Sequence, residues 1–129
     1  MPEKFLFDYS VIRAVPKVER GEFINIGVVL YCANFRFLDV LFNIDEKRLS
    51  AFSQSIDIPA VREYLKAYEH ICKGGKTAGP IGLLPVAERF RWLTATRSTI
   101  LQSSPVHNGL CEDAGDKLRQ LFKELVLTE

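Results

Sequence analysis

Residues 23–31, Phe-Ile-Asn-Ile-Gly-Val-Val-Leu-Tyr, form the longest apolar run in the chain. Val, Ile and Phe dominate it, which favours a β-strand over a helix. Side chains alternate between the two faces of a strand. Ile24, Ile26, Val28 and Leu30 are therefore expected on one aliphatic core face, with Phe23, Asn25, Gly27, Val29 and Tyr31 on the other. A glycine inside a strand packs nothing, and marks a bulge or a close approach by backbone or ligand. Asn25 beside it offers a donor and an acceptor. Arg20 and Glu22 stand at the strand's entrance. The plain reading is a hydrogen-bonded structural Asn, a bulge glycine and a surface ion pair. The functional reading makes this polar end of the strand a binding site.

The flanking segments read as strands too. Residues 5–15 alternate, with Phe5, Phe7, Tyr9, Val11 and Arg13 on one face and Leu6, Asp8, Ser10 and Ile12 on the other. Pro16 ends the run. A short loop to Gly21 then implies antiparallel pairing with the central strand, Arg13 lying near Ile24. Residues 35–42 read as a third strand after a tight turn at Ala33-Asn34, since Asn tolerates the left-handed conformations of short hairpin turns. Three consecutive strands predict a β-meander.

Beyond residue 45 the period becomes helical. Leu49 and Phe52 lie three apart in a segment over 45–54. Asp57 is a candidate N-cap with Pro59 in the first turn, and Ile58, Val61, Leu65, Tyr68 and Cys72 form one stripe. Gly74-Gly75 stops that helix. Residues 73–85, with four glycines and two prolines, read as a loop. A short helix is expected over 85–93 with Val86, Phe90 and Leu93 inward, and a fourth strand over 94–104. Residues 105–109 read as a turn. A last helix, capped by Asp113, repeats Leu118, Leu121, Phe122 and Leu125 at three and four. The expected fold is α+β: a three- or four-stranded, mainly antiparallel sheet with packed helices, in a single domain over 1–129.

Composition narrows the function classes. A net charge of +1 gives no global case for a nucleic-acid or membrane partner. No apolar run is long enough to span a bilayer, and the acidic residues of MPEKFLFDYS do not fit a signal peptide. Three widely spaced cysteines, Cys32, Cys72 and Cys111, suggest reduced thiols in a cytoplasm.

Several motifs fall away on inspection. Gly75-Lys76-Thr77 resembles the end of a P-loop, but His70 stands where the first glycine belongs, and the tripeptide follows a helix. His70-x-Cys72 and His107-x3-Cys111 lack a paired-cysteine knuckle, so neither a zinc site nor any other metal or cofactor is expected. Ser98, Ser103, Ser104 and His107 lie close in sequence without a visible orienting acid, and read as a polar turn. Arg89-Phe90-Arg91-Trp92 could stack on nucleic acid, but such a helix more often buries Phe90 and shows its arginines to water.

Two blocks resemble a known family. Tyr9-Ser-Val-Ile-Arg13, followed by Arg20-Gly-Glu22-Phe-Ile-Asn25-Ile-Gly27-Val-Val-Leu30, is similar to the start of the small bacterial proteins grouped as domain of unknown function 3037. Arg97-Ser98-Thr-Ile-Leu-Gln102-Ser-Ser104-Pro with His107-Asn-Gly109 resembles that family's second block. The resemblance implies no activity. It implies a partner or regulatory role beside kinases resembling those of toxin–antitoxin systems. The candidate binding residues are Arg13, Arg20, Glu22 and Asn25 from the first block, and Arg97, Ser98 and His107 from the second. The favoured expectation is a non-catalytic module that grips a protein partner, a kinase-like one included. The alternatives are an enzyme on a phosphate-containing substrate, with arginine forks on phosphate, Glu22 or His107 as acid or base and Asn25 orienting the substrate, and a nucleic-acid binder using Arg89, Arg91, Trp92 and the lysines of the Gly-rich loop. An exposed edge strand could also accept a partner's strand.

Overall fold

The computed structural model describes residues 2–95 and 99–127. The expected meander is present. Strands β1 (Phe5–Ala14), β2 (Ile24–Cys32) and β3 (Phe37–Phe42) pair in succession, all antiparallel. On its other flank β1 pairs with two more strands. β4 (Leu101–Ser103) lies against its C-terminal half and β5 (His107–Cys111) against its N-terminal half. Five strands thus fill four positions, and β1 is central. The fold is α+β, with β3 at one edge and β4 and β5 along the other.

β5 replaces the expected turn over 105–109. Pro105 has no N–H to donate, so the ladder must break beside it. Ser104 repairs the break. Its N–H donates to Val11 O (2.8 Å), and its Oγ accepts the Val11 N–H (2.8 Å). The Ser10 hydroxyl donates to Ser104 O (2.7 Å). Both serines are buried. Pairing then resumes one residue out of phase, with Tyr9 opposite His107. The β2–β3 turn also differs from expectation. Ala33–Phe35 forms a 3-10 turn, and Arg36, not Asn34, takes the left-handed conformation at φ 48°.

The central strand carries a bulge. Ile12 pairs with Gly27 but Arg13 pairs with Asn25, so Ile26 is an extra residue on β2. A bulge shifts the alternation by one. Ile24 and Ile26 therefore share a face with Val29, whereas Val28, Leu30 and Cys32 face the opposite side. The single aliphatic face expected from strict alternation is thus split between two cores.

Helices α1 (Glu46–Phe52), α2 (Ile58–Lys73) and α3 (Val86–Leu93) cover the first face, and α4 (Ala114–Leu125) the second. Asp45, Asp57 and Asp113 begin three of them. Each carboxylate accepts the N–H three residues on, at 3.1, 3.1 and 2.8 Å, satisfying a donor the helix leaves unpaired. The α2 stripe of Val61, Leu65, Tyr68 and Cys72 is buried as its spacing predicts.

All three cysteines are buried free thiols. Burial pushes the Cys72 thiol from 9.0 up to about 12, with the Asp39 carboxylate adding to the rise and Arg89 opposing it. The folded state therefore holds its proton where the unfolded chain has lost it, and stability falls as pH rises from the unfolded value through the folded one. In urea titrations, wild-type stability should decline between about pH 9 and about pH 12 more steeply than that of Cys72→Val. Parallel declines would show that the thiol is not linked to folding.

Candidate functional site

The connection from β1 to β2 is a short arm built around Gly21. Val18–Arg20 form a 3-10 turn, and Gly21, at φ 68°, closes it through its N–H to Val18 O (3.2 Å). The left-handed backbone suits glycine. It returns the chain so that the Arg20 Nε donates to the Glu22 carboxylate. Both side chains are exposed. The Arg20 hydrogen bond and charge hold the Glu22 carboxyl below its ordinary range, and Glu22 in turn raises Arg20. At this exposure the pair orders the arm and contributes little to stability.

A groove of about 280 Å³ runs between this arm and the end of α1, lined by Pro16, Lys17, Arg20, Glu22, Phe52 and Ser53. Apolar side chains crop out around the arm: Val18 is 46% exposed, Phe23 44% and Phe52 39%. Phe52 and Lys17 were not among the sequence candidates. The available signal for Phe52 was its place as the last residue of a one-ridge helix whose other large apolar residue, Leu49, fills the core.

Arg13 and Asn25 sit one step further into the sheet, directly opposite each other beside the bulge. The expected register, with Arg13 near Ile24, is off by that one step. The Arg13 guanidinium lies 4.0 Å from the centre of the Phe23 ring, a cation–π contact. Asn25 Nδ2 donates to Leu125 O (3.1 Å), and Arg48 Nη1 donates to Val126 O (3.2 Å). These two side chains tie down the C-terminal carbonyls of α4, which the helix cannot satisfy itself. Arg13 Nε and Asn25 Oδ1 are buried and have no hydrogen-bond partner among the described residues. Asn25 is thus first a helix anchor, as the plain reading of the sequence held, with a spare acceptor beside a spare donor.

His107 lies elsewhere. It is exposed on β5, its ring 5.3 Å from that of Tyr9. The distance along β1 to the level of Glu22 is on the order of 20 Å, so Glu22 and His107 cannot serve one reacting group. The second block meets the Tyr9–Arg13 part of the first directly, with Arg13 opposite Gln102 and Tyr9 opposite His107, whereas the Arg20–Leu30 part lies on the other flank of β1. Arg97 and Ser98 lie outside the described residues. Ser103 and Ser104 are no nucleophiles in waiting: Ser103 Oγ donates to Leu93 O (3.1 Å), and Ser104 mends the strand break.

The remaining basic motifs divide between core and surface. Arg89, expected in water, is buried between α2 and α3. Arg91 and Trp92 remain exposed, and Phe90 stacks on Tyr31 at 5.6 Å. The Gly75 N–H donates to Gly82 O (2.8 Å), closing the loop on itself instead of cradling a phosphate. Among the described residues, no group of three or more His, Cys, Asp or Glu side chains could hold a metal ion. No helix among them is long and apolar enough to cross a membrane.

These features define an α+β protein whose antiparallel sheet lies between helices and extends a charged arm. A family model described as a protein of unknown function (DUF3037) matches residues 9–126, and the chain belongs to that family. No curated protein and no solved structure gives a significant match.

Proposed function

We propose that this chain is a non-catalytic partner-binding module whose contact surface is the β1–β2 arm. One observation carries the reading: an exposed Phe52 lines a groove with Lys17, Arg20 and Glu22, and the arm that forms its other wall also exposes Val18 and Phe23. Single exposed apolar residues are ordinary on a protein surface. Two on the arm and one at the facing end of α1, set near an ordered Arg–Glu pair and a lysine, match the aromatic and arginine bias of protein interfaces. The pair's fixed geometry gives a partner both a donor fork and a carboxylate without further ordering cost. The partner to test first is a kinase resembling those of toxin–antitoxin systems, which the family resemblance suggests.

Calorimetric titration of the purified pair tests this. Phe52→Asp and Arg20→Glu should each weaken binding by about 2 kcal/mol, roughly thirtyfold. Both positions are exposed, so far-UV circular dichroism should not change. Binding that moves by less than about threefold in both variants would remove the arm from the interface.

A further inference from the structure

The two edges of the sheet are protected differently. At β3, Val40 lies opposite Val29. Val29 pairs on its other side with Ser10 of β1. Cys32 Sγ donates to Leu6 O at 3.4 Å, which places the backbone groups of the even-numbered β1 residues towards β2. Val29 therefore bonds to β1, and the Val40 N–H points outward from β3. The Asp39 carboxylate accepts that N–H at 2.8 Å. The β3 edge is thus capped and negatively charged, a common guard against strand addition.

β5 has no such guard among the described residues. The odd-numbered residues of β1 turn their backbone groups towards β4 and β5, as Ser104 N–H to Val11 O and Val15 N–H to Ile100 O show. His107, Gly109 and Cys111 face Tyr9, Phe7 and Phe5 and take those bonds. By the antiparallel alternation, Asn108 and Leu110 present their N–H and C=O groups outward. No Asp, Glu, Lys, Arg or Pro lies within His107–Cys111. Leu110 is instead 59% exposed, and its cross-strand neighbour Leu6 is 59% exposed beside it.

We infer that the β5 edge joins a second copy of this chain, antiparallel about a twofold axis at Leu110. The charge along the strand selects an antiparallel copy. β5 begins after uncharged Pro105-Val106 and is followed by Glu112-Asp113. Antiparallel pairing sets each acidic end against the other copy's uncharged start, whereas parallel pairing would stack the carboxylates. With Leu110 on the axis, Asn108 opposes Glu112 of the second copy and His107 approaches its Asp113. Each pair matches donors with a carboxylate. The apolar residues form one row across four strands, Leu6–Leu110–Leu110–Leu6, on the sheet face that α1, α2 and α3 leave open at this end. Cross-strand pairs of this kind stabilise sheets. This surface is distinct from the β1–β2 arm, and either can fail without the other.

Sedimentation velocity from about 5 to about 500 µM is the test, because a strand pair this short falls at the small end of interfaces and dissociates on dilution. Wild type should pass from monomer to dimer over this range. Leu110→Glu, an exposed position, should stay monomeric with an unchanged circular dichroism spectrum. In the hydrogen-bonded register the two Leu110 Cα atoms lie about 5.5 Å apart, within disulfide reach. Leu110→Cys should therefore cross-link under mild oxidation, while the buried thiols of wild type do not. A wild type monomeric throughout, a Leu110→Glu that dimerises as wild type does, or a Leu110→Cys dimer that fails to cross-link would each overturn the inference.

Discussion

Arg89→Ala should destabilise the fold by about 3 kcal/mol, because three backbone carbonyls lose a charged donor at once. Arg89 Nη1 donates to Ile71 O (2.8 Å) and Cys72 O (2.9 Å), and Nε donates to Leu84 O (3.0 Å). Ile71 and Cys72 belong to the last turn of α2, whose carbonyls have no partner within the helix. A cation there also complements the negative end of the helix dipole. Leu84 lies just before α3, so one side chain joins the two helices and the Gly-rich loop between them. Gly74 is part of the same fitting: at φ 77°, a Cβ on it would stand 2.6 Å from Arg89 Nη1. For a domain of this size the loss corresponds to a fall in Tm of roughly 12 °C. Arg89→Met separates the causes, since it keeps most of the buried stem but none of the donors. It should lose nearly as much as Arg89→Ala. A Met variant within about 1 kcal/mol of wild type would show that packing, not hydrogen bonding, is what Arg89 supplies.

What could and could not be read from the sequence follows the range of the interactions involved. The caps at Asp57 and Asp113 and the α2 stripe depend on residues three or four apart, and the bare chain displays them. The meander was equally legible, because its connections are short and each strand alternates. Arg89 was not: its partners lie up to 18 residues away, so it reads like any arginine on a helix. β5 was hidden by its own residues, since Pro105 and Asn108-Gly109 carry turn chemistry and only the long-range Ser10–Ser104 contact shows that the strand continues. Within the candidate site, the Arg20–Glu22 pair was visible as neighbours across a glycine. The groove it shares with Phe52 was not, because that contact spans the meander and α1.

Gly27 decides between the two meanings a glycine can have inside a strand, and Gly27→Val should cost about 3 kcal/mol. A Cβ at this position would stand 2.9 Å from Leu41 O, 3.1 Å from Phe42 Cβ and 3.3 Å from Ile12 Cδ1. The nearest of these is a backbone oxygen held in the β2–β3 pairing, and it cannot rotate away as a side chain could. The close approach is therefore by the protein's own third strand, and it needs no ligand. Room for valine would come only from moving the end of β3 outward, which uncovers the α1–α3 core where Phe42 packs. The bulge next to Gly27 adds to the effect, because it fixes which face Ile26 and Val28 occupy. Strain relieved by a register slip would send one of the two cores' residues into water. Amide hydrogen exchange should locate the damage: Gly27→Val should lose protection at Val28 and Asn43, whose N–H donates to Ile26 O (2.9 Å), before it loses protection in α4. A Tm within about 2 °C of wild type would mean that β3 yields at little cost, and that Gly27 is kept open for something other than Leu41.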